Sequence, residues 1–170
     1  MSKVIEQSFF FHLNDFKSCL LDIESGIAAT SKNESLRKLY CLKGDVSVQL
    51  EDLDGAIVNY NKAIELDPTY FLAYIHRGQC FLKRKKHQEA INDFTESLQY
   101  DTKQSGKKYY YRGLARVDLV GAYNSDKSTR RSKKFIDDTQ KLMLQACSDF
   151  EKAKSLKHRE VFSAAKEYCD

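Results

Sequence analysis

The chain has 170 residues, of which 42% are hydrophobic and 31% are charged, and this balance excludes a wholly disordered protein. A single Pro and seven Gly favour long helices joined by short turns over a sheet of many strands. No apolar run approaches the ~18 residues of a membrane-spanning helix, and no secretory signal is recognisable, so we expect an intracellular, cytoplasmic protein.

The net charge of +4 is unevenly distributed along the chain. Residues 1–102 contain 12 Lys and Arg against 15 Asp and Glu, whereas residues 103–170 contain 16 against 9. The basic character therefore belongs to the C-terminal part of the chain, and an anionic partner would be attracted there.

Residue types that carry catalysis or bind metals form no recognisable motif. The histidines are scattered, and the chain contains no H-E-x-x-H, no C-x-x-C and no Gly-rich phosphate-binding loop. The odd number of cysteines, without metal-like spacing, predicts reduced and buried thiols at Cys19, Cys41, Cys80, Cys147 and Cys169. We therefore expect neither an enzyme nor a metal or cofactor site.

Residues 1–35 are predicted to form an imperfect helix pair. The first helix would carry a cluster of apolar residues, namely Phe9, Phe10, Phe11, Leu13 and Phe16. In the second helix a small, a large and a small residue follow at a spacing that recurs later in the chain: Cys19, Ile23 and Gly26.

Residues 37–70 and 71–104 carry one pattern written twice in succession. The first copy places an aromatic, a glycine, an alanine, an aromatic and a small residue at Tyr40, Gly44, Ala56, Tyr60 and Ala63. The second copy has the same order at Tyr74, Gly78, Ala90, Phe94 and Ser97. Small residues on apolar helix faces let two helices approach closely, and the aromatic residues fill the space between layers.

The period of the pattern, about 34 residues, and the order of its residues resemble the tetratricopeptide repeat (TPR) family. The resemblance implies an all-α solenoid of helix-turn-helix units, wound as a right-handed superhelix, with about three repeats. Pro68 falls where the repeat-final Pro of the family belongs. The positions to which the resemblance assigns repeat packing are Tyr40, Gly44, Ala56, Tyr60, Ala63, Pro68, Tyr74, Gly78, Ala90, Phe94, Tyr109, Gly113, Ala146, Phe150 and Ala153.

A third copy occupies residues 106–157 and is interrupted by an insertion near 118–138. Gly113 and Ala146 correspond to Gly44 and Ala56 of the first copy, but they lie much further apart in the sequence. The insertion is polar and basic, and we expect it to break the helix near Gly121.

The C-terminal end of the chain should return to regular helix. We expect a long helix from about residue 135, and mobility across residues 121–134. A short amphipathic helix at 159–169 would then cover the open end of the array. On this prediction residues 1–170 form a single domain.

In TPR arrays the first helix of each repeat lines a concave groove. The resemblance therefore implies a non-enzymatic adaptor or scaffold that binds a segment of a partner protein there. The groove residues that it implies are Lys38, Cys41, Asp45, Leu72, Ile75, His76, Gln79, Lys107, Tyr110, Tyr111 and Leu114.

One TPR subclass binds the C-terminal carboxylate of heat-shock chaperone tails through Lys, Arg and Asn at fixed groove positions. In this chain those positions hold Cys41, Asp45, His76, Lys107 and Tyr111, and Lys107 alone fits. Because Asp45 would repel a carboxylate, we do not expect this mode of binding.

A basic edge is the alternative functional site. Turns between the two helices of successive repeats lie along one edge of a solenoid, so the second turn and the insertion would be neighbours. Their cations are Lys83, Arg84, Lys85, Lys86, Lys127, Arg130, Arg131, Lys133 and Lys134. Such an edge would attract nucleic acid or an anionic membrane surface, although a solvated turn beside a mobile loop would look the same. A secretion-type or other TPR chaperone is a minor alternative, because those proteins are also short arrays with flanking helices.

Overall fold

The computed structural model describes four stretches of the chain, residues 2–101, 106–125, 133–158 and 161–169, with side chains from residue 15 onwards except at 133 and 162. Within these ranges the chain forms α-helices and no strand. The helices are α1 (Ser2–Ala29), α2 (Asn33–Gln49), α3 (Leu53–Leu66), α4 (Phe71–Lys83), α5 (His87–Tyr100), α6 (Gly106–Ser125), α7 (Lys133–Ser155) and α8 (Val161–Cys169). The predicted all-α, helix-turn-helix fold is confirmed.

The chain divides into two compact units, Met1–Cys80 and Phe81–Asp170. In unit 1, α2 packs against both α1 and α3. In unit 2, α6 packs against α5, α7 and α8, and α7 also packs against α8. The expected single domain and its division into repeats stay predictions.

Three turns share one backbone conformation. The left-handed helical region holds Glu51 (φ 62°) after α2, Lys85 (φ 57°) after α4 and Lys157 (φ 59°) after α7. In the first of these turns the Asp52 carboxylate accepts a hydrogen bond from the Gly55 N–H at 2.9 Å. This bond satisfies one of the free N–H groups at the start of α3, which is the stabilising role of an N-cap.

The only proline of the sequence ends α3. Asp67, the residue before Pro68, is extended (φ −150°, ψ 98°), because the proline ring disfavours a helical residue in front of it. The Pro68 ring itself is exposed, so its part in the repeat is to end the helix and not to fill the core. Its contribution is to the backbone, where its carbonyl accepts a hydrogen bond from the Tyr74 hydroxyl at 3.1 Å.

Unit 1 is built around a close approach of α2 and α3. A Cβ added to Gly44 would lie 2.5 Å from Cε1 of Tyr60, well inside van der Waals contact. The Tyr60 ring occupies the space that the missing side chain leaves, and Tyr60 is 1% exposed. Ala56 and Ala63, one turn to either side of Tyr60, are fully buried and complete this contact.

Unit 2 repeats the arrangement between α6 and α7. A Cβ on Gly113 would lie 2.6 Å from Cε1 of Phe150, which is fully buried between Ala146 and Ala153. A second cluster packs α5 on α6 through Ala90 and Phe94. Of the other residues assigned to packing, Tyr74 and Gly78 are buried and Tyr40 and Tyr109 are half-buried.

The N-terminal stretch is one helix, so the predicted helix pair was wrong. α1 runs without interruption from Ser2 to Ala29. The sequence contains neither Pro nor Gly before Gly26, so nothing forces the chain to turn between Phe16 and Cys19. The side chains of residues 9–13 lie outside the described residues, and the Ile23 side chain is buried.

The insertion lengthens the helices on both of its sides. α6 continues through Gly121 to Ser125, and α7 begins at Lys133. The predicted break at Gly121 was wrong, because one glycine costs a helix only about 1 kcal/mol. Residues 126–132 lie outside the described residues, and their mobility stays a prediction.

A disulfide joins α7 to α8, against the prediction that all the cysteines are free thiols. Cys147 is bonded to Cys169, 22 residues further along the chain, whereas Cys19, Cys41 and Cys80 are free. The pairing arises because α8 folds back on α7, and sequence spacing alone does not show this. Around the bridge, Val161, Ala164 and Ala165 of α8 are buried against the core of unit 2.

Gly113 and Gly121 lie in the same helix and should respond oppositely to alanine. At Gly113 the added methyl meets the Phe150 ring, so Gly113→Ala should cost about 1–3 kcal/mol of unfolding free energy. At Gly121 the methyl meets nothing within 4 Å, so Gly121→Ala should stabilise by up to about 1 kcal/mol. Urea unfolding of both variants measures the difference. A stable Gly113→Ala protein would contradict the close approach of α6 and α7.

The disulfide should stabilise unit 2 by restricting the unfolded chain. For a loop of this length the chain-entropy model gives about 3 kcal/mol. We expect Cys169→Ser to lower the urea midpoint, and a reductant to lower that of the wild type to the same value. The matched control is Cys19→Ser, because Cys19 is a free thiol and its loss should leave the reductant effect unchanged.

Candidate functional site

Three of the predicted groove residues come together in unit 1. Cys41 and Asp45 lie one turn apart on α2, and His76 reaches them from α4. His76 Nδ1 is 2.6 Å from Asp45 Oδ1 and 3.9 Å from Cys41 Sγ. Since a carboxylate only accepts hydrogen bonds, Nδ1 carries the proton in the contact with Asp45.

The buried Tyr60 side chain holds Asp45 and His76 in place. The Tyr60 hydroxyl donates a hydrogen bond to Asp45 Oδ1 at 2.8 Å, and its ring meets the His76 ring edge-on at a centroid distance of 5.7 Å. The Asp45 side chain is nevertheless 40% exposed and that of His76 32%, so both still face solvent. The pair is therefore a rigid polar feature on an accessible surface.

Two groups beside the Asp45 carboxylate, the Cys41 thiol and the Tyr60 hydroxyl, are held in their neutral, protonated forms. Burial, and then the negative charge of Asp45, raises the pKa of the Cys41 thiol to about 12, so the thiol is protonated at neutral pH. Burial, followed by its hydrogen bond to Asp45, raises the pKa of Tyr60 well above its ordinary value. Both groups are thus held as donors beside the carboxylate.

The other groove residues of unit 1 extend the same helix faces. On α4, Leu72 precedes His76 by four positions and Gln79 follows it by three, a spacing that places all three side chains on one face. Leu72 is 37% exposed, and Gln79 and Ile75 are half-buried. On α2, Lys38 is exposed and paired with Glu34 at 2.8 Å.

The groove residues of unit 2 divide between surface and core. Lys107 is exposed and lies over the Tyr111 ring at 5.7 Å, and Tyr111 is half-buried against Phe94. Tyr110 packs against Phe150, at a centroid distance of 6.2 Å, and belongs with Leu114 to the margin of the core. Tyr110 and Leu114 are therefore packing residues as well as predicted groove residues.

The basic edge is described only in part. Lys83, Arg84, Lys85 and Lys86 are all at least partly exposed, and Lys134 is exposed. The remaining members of the predicted edge, Lys127, Arg130 and Arg131 and the side chain of Lys133, lie outside the described residues. At the turn itself, His87 Nδ1 lies 4.0 Å from an Asp118 carboxylate oxygen, so one negative charge also stands at this edge.

Unit 2 contains a buried ionic cluster that was not predicted from the sequence. Arg112 binds both carboxylate oxygens of Asp149, at 3.0 and 2.7 Å, and Arg116 donates to the same carboxylate. The sequence did contain a signal for this cluster. In the second copy of the repeat, as in the third, an Arg directly precedes the glycine and an Asp directly precedes the aromatic residue. A second buried pair, Lys108 with Asp101, joins the start of α6 to the end of α5.

The comparisons with known proteins place this geometry in a family. A family model described as TPR repeat matches residues 44–84, and one described as Tetratricopeptide repeat matches residues 72–104. Residues 44–104 belong to the tetratricopeptide repeat family. Repeats of this family are protein–protein interaction modules.

Relatives match this TPR region over part of their own length. Human DnaJ homolog subfamily C member 7 is 32% identical over 111 residues, which cover 56% of this chain and 22% of that protein. Hsc70-interacting protein 1 of Drosophila melanogaster is 41% identical over 66 residues, 39% of this chain and 17% of that protein. The chain therefore spans about a fifth of the length of such relatives.

A solved TPR domain supports the same assignment. The Arabidopsis OM64 TPR domain superposes with a TM-score of 0.63 at 25% identity, covering 80% of this chain and 96% of that domain. In the part of the chain that the structure describes, no helix combines the length and apolar character needed to cross a membrane.

The Arg112–Asp149 pair should contribute strongly to stability. Asp149 is 4% exposed, so Arg112→Ala would leave a buried carboxylate with fewer partners and should cost about 3 kcal/mol. Lys154→Ala is the matched control, since its pair with Glu151 is exposed and should contribute less than about 1 kcal/mol. Equal urea midpoints for the two variants would contradict the assigned role of the pair.

Proposed function

We propose that the chain is a non-enzymatic adaptor that binds an extended segment of a partner protein in the predicted groove, along the faces of α2 and α4 that carry Asp45 and His76. The observation that carries the proposal is the Asp45–His76 pair, held at 2.6 Å by the buried Tyr60 and yet open to solvent. A fixed donor and acceptor pair of this kind binds without first losing side-chain freedom, which lowers the entropic cost of association.

The neighbouring side chains suit a peptide rather than a small molecule. Leu72 offers exposed apolar surface on the same face as His76, and Gln79 supplies an amide that can pair with a peptide backbone. In unit 2, Tyr111 and Lys107 offer a separate contact surface. The proposal draws support from the name of the Drosophila relative, which states an interaction with Hsc70.

The negative charge of Asp45 disfavours a partner segment that binds through a terminal carboxylate. A terminal carboxylate would meet the Asp45 carboxylate, which already accepts hydrogen bonds from Tyr60 and His76 and carries a full negative charge. The partner should therefore bind through an internal stretch of chain, with its amide groups and apolar side chains.

We expect His76→Ala and Gln79→Ala to weaken peptide binding by about tenfold or more each, since central, preorganised residues carry most of the affinity at such surfaces. Peptides are first selected from a displayed random library on the wild-type chain, and their affinities are then measured by fluorescence anisotropy. Lys62→Ala on the exposed face of α3 is the control and should bind normally. Each peptide is compared with its C-terminally amidated form, and we expect equal affinity.

The salt dependence of binding distinguishes a partner bound at the basic edge from one bound at the surface of α2 and α4. Reversal of charge at Lys85 and Lys86 should leave peptide binding nearly unchanged. The same variants are titrated with a nucleic acid. The partner is a nucleic acid if that ligand binds the wild type more tightly than any peptide, is lost only in the charge-reversal variant, and loses about 0.7–0.9 log units of affinity per log unit of salt for each phosphate contact. Such a result would contradict the peptide proposal.

A further inference from the structure

The cluster of Cys41, Asp45 and His76 brings three kinds of metal-binding atom together. One sulfur, one imidazole nitrogen and one carboxylate oxygen lie within 4.8 Å of one another. The sequence shows no metal motif because two of the residues lie on α2 and the third lies on α4, far along the chain. Helix packing within unit 1 supplies the proximity.

We propose that this cluster binds one Zn²⁺ ion through Cys41 Sγ, Asp45 and His76 Nδ1, with water as the fourth ligand. Sulfur, nitrogen and oxygen donors in a tetrahedral arrangement suit Zn²⁺ better than Mg²⁺ or Ca²⁺, which prefer shells of oxygen. Three protein ligands and one exchangeable position characterise an open zinc site.

The three donor atoms, all within 4.8 Å of one another, lie near the separations of a tetrahedral zinc site. Sulfur and nitrogen ligands of a tetrahedral zinc ion lie about 3.5 Å apart, and the Cys41 Sγ to His76 Nδ1 distance is 3.9 Å. Asp45 Oδ1 and His76 Nδ1 are 2.6 Å apart because a proton lies between them, so the ion would replace that proton and widen the contact to about 3.4 Å. Both side chains are partly exposed and have room for this rotation.

The surroundings of the cluster resemble the outer shell of a metal site. Tyr60 donates a hydrogen bond to Asp45 and thereby orients the carboxylate, as outer-shell groups do for metal ligands. Cys41 is buried at the base, whereas Asp45 and His76 leave one side open for the ion and its water. The site is therefore anchored in the core and accessible from solvent.

The charges also balance when the ion binds. Cys41 loses its thiol proton to solvent. The His76 ring gives up its Nδ1 proton and takes one from solvent on Nε2, so it stays neutral, and the ligands are one thiolate, one carboxylate and one neutral imidazole. Two negative charges then neutralise Zn²⁺, so the occupied site carries no net charge next to the apolar core of unit 1.

Cobalt provides a direct test, since Co²⁺ takes the same ligands as Zn²⁺ and is coloured. The full chain is treated with a chelator and titrated with Co²⁺. We expect one equivalent to bind, with a thiolate-to-cobalt charge-transfer band and the intense visible bands of tetrahedral cobalt, and we expect Zn²⁺ to displace it. A titration that shows no charge-transfer band overturns the proposal.

Variants identify the ligands and separate metal binding from folding. Cys41→Ser should abolish the charge-transfer band, His76→Gln should weaken Zn²⁺ binding by more than about tenfold, and Tyr60→Phe should weaken it by about tenfold through the lost outer-shell bond. The controls are Cys19→Ser and His87→Gln, a free thiol and a histidine beside a carboxylate elsewhere in the chain.

Folding is checked by circular dichroism, and His76→Gln decides the matter if Cys41→Ser fails to fold, because His76 lies near the surface. The melting temperature should rise with Zn²⁺ in the wild type and in both controls, but not in His76→Gln. Unchanged Zn²⁺ affinity in folded His76→Gln, or a band lost in Cys19→Ser rather than Cys41→Ser, contradicts the assignment.

Discussion

The close approach of paired helices at a glycine is the contact on which both units depend. At Gly44 and at Gly113 the partner helix lies so near that a single methyl group would overlap an aromatic ring. The rings of Tyr60 and Phe150 use that space and are themselves held between alanines one turn away. Because interiors are packed at crystal-like density, this contact leaves little freedom in how the two helices cross.

Tyr60 connects this packing to the polar surface. Its ring fills the core of unit 1, and its hydroxyl reaches Asp45, which in turn positions His76. The corresponding residue in unit 2 is Phe150, which has no hydroxyl. The polar contacts next to it are instead made by Asp149 and its two arginines. The two units thus share one packing solution but attach different chemistry to it: an accessible acid–imidazole pair in one and a buried ionic cluster in the other.

The repeat could be predicted because its determinants are local in the sequence. The predictions that were wrong concern features that tertiary contacts determine. The regular recurrence of small and aromatic positions is visible in the sequence, and the helices α2 to α5 follow from it. The unbroken α1, the helical Gly121 and the Cys147–Cys169 bond were not predicted, because turn-forming composition and cysteine spacing are weak signals beside packing. Similarly, Cys41, Asp45 and His76 were assigned to one surface, but their mutual contacts depend on side-chain directions across two helices.

The left-handed residues Glu51 and Lys85 have a consequence for how such a chain can diversify. Each occupies the same place in its turn, and this backbone conformation costs about 1–2 kcal/mol for most residues other than glycine, whatever the sign of their charge. The first turn is acidic and the second basic, yet their backbone conformation is the same. Surface potential at these turns can therefore change from one repeat to the next without any compensating change in the core, so an ancestral array could acquire new electrostatic preferences one turn at a time.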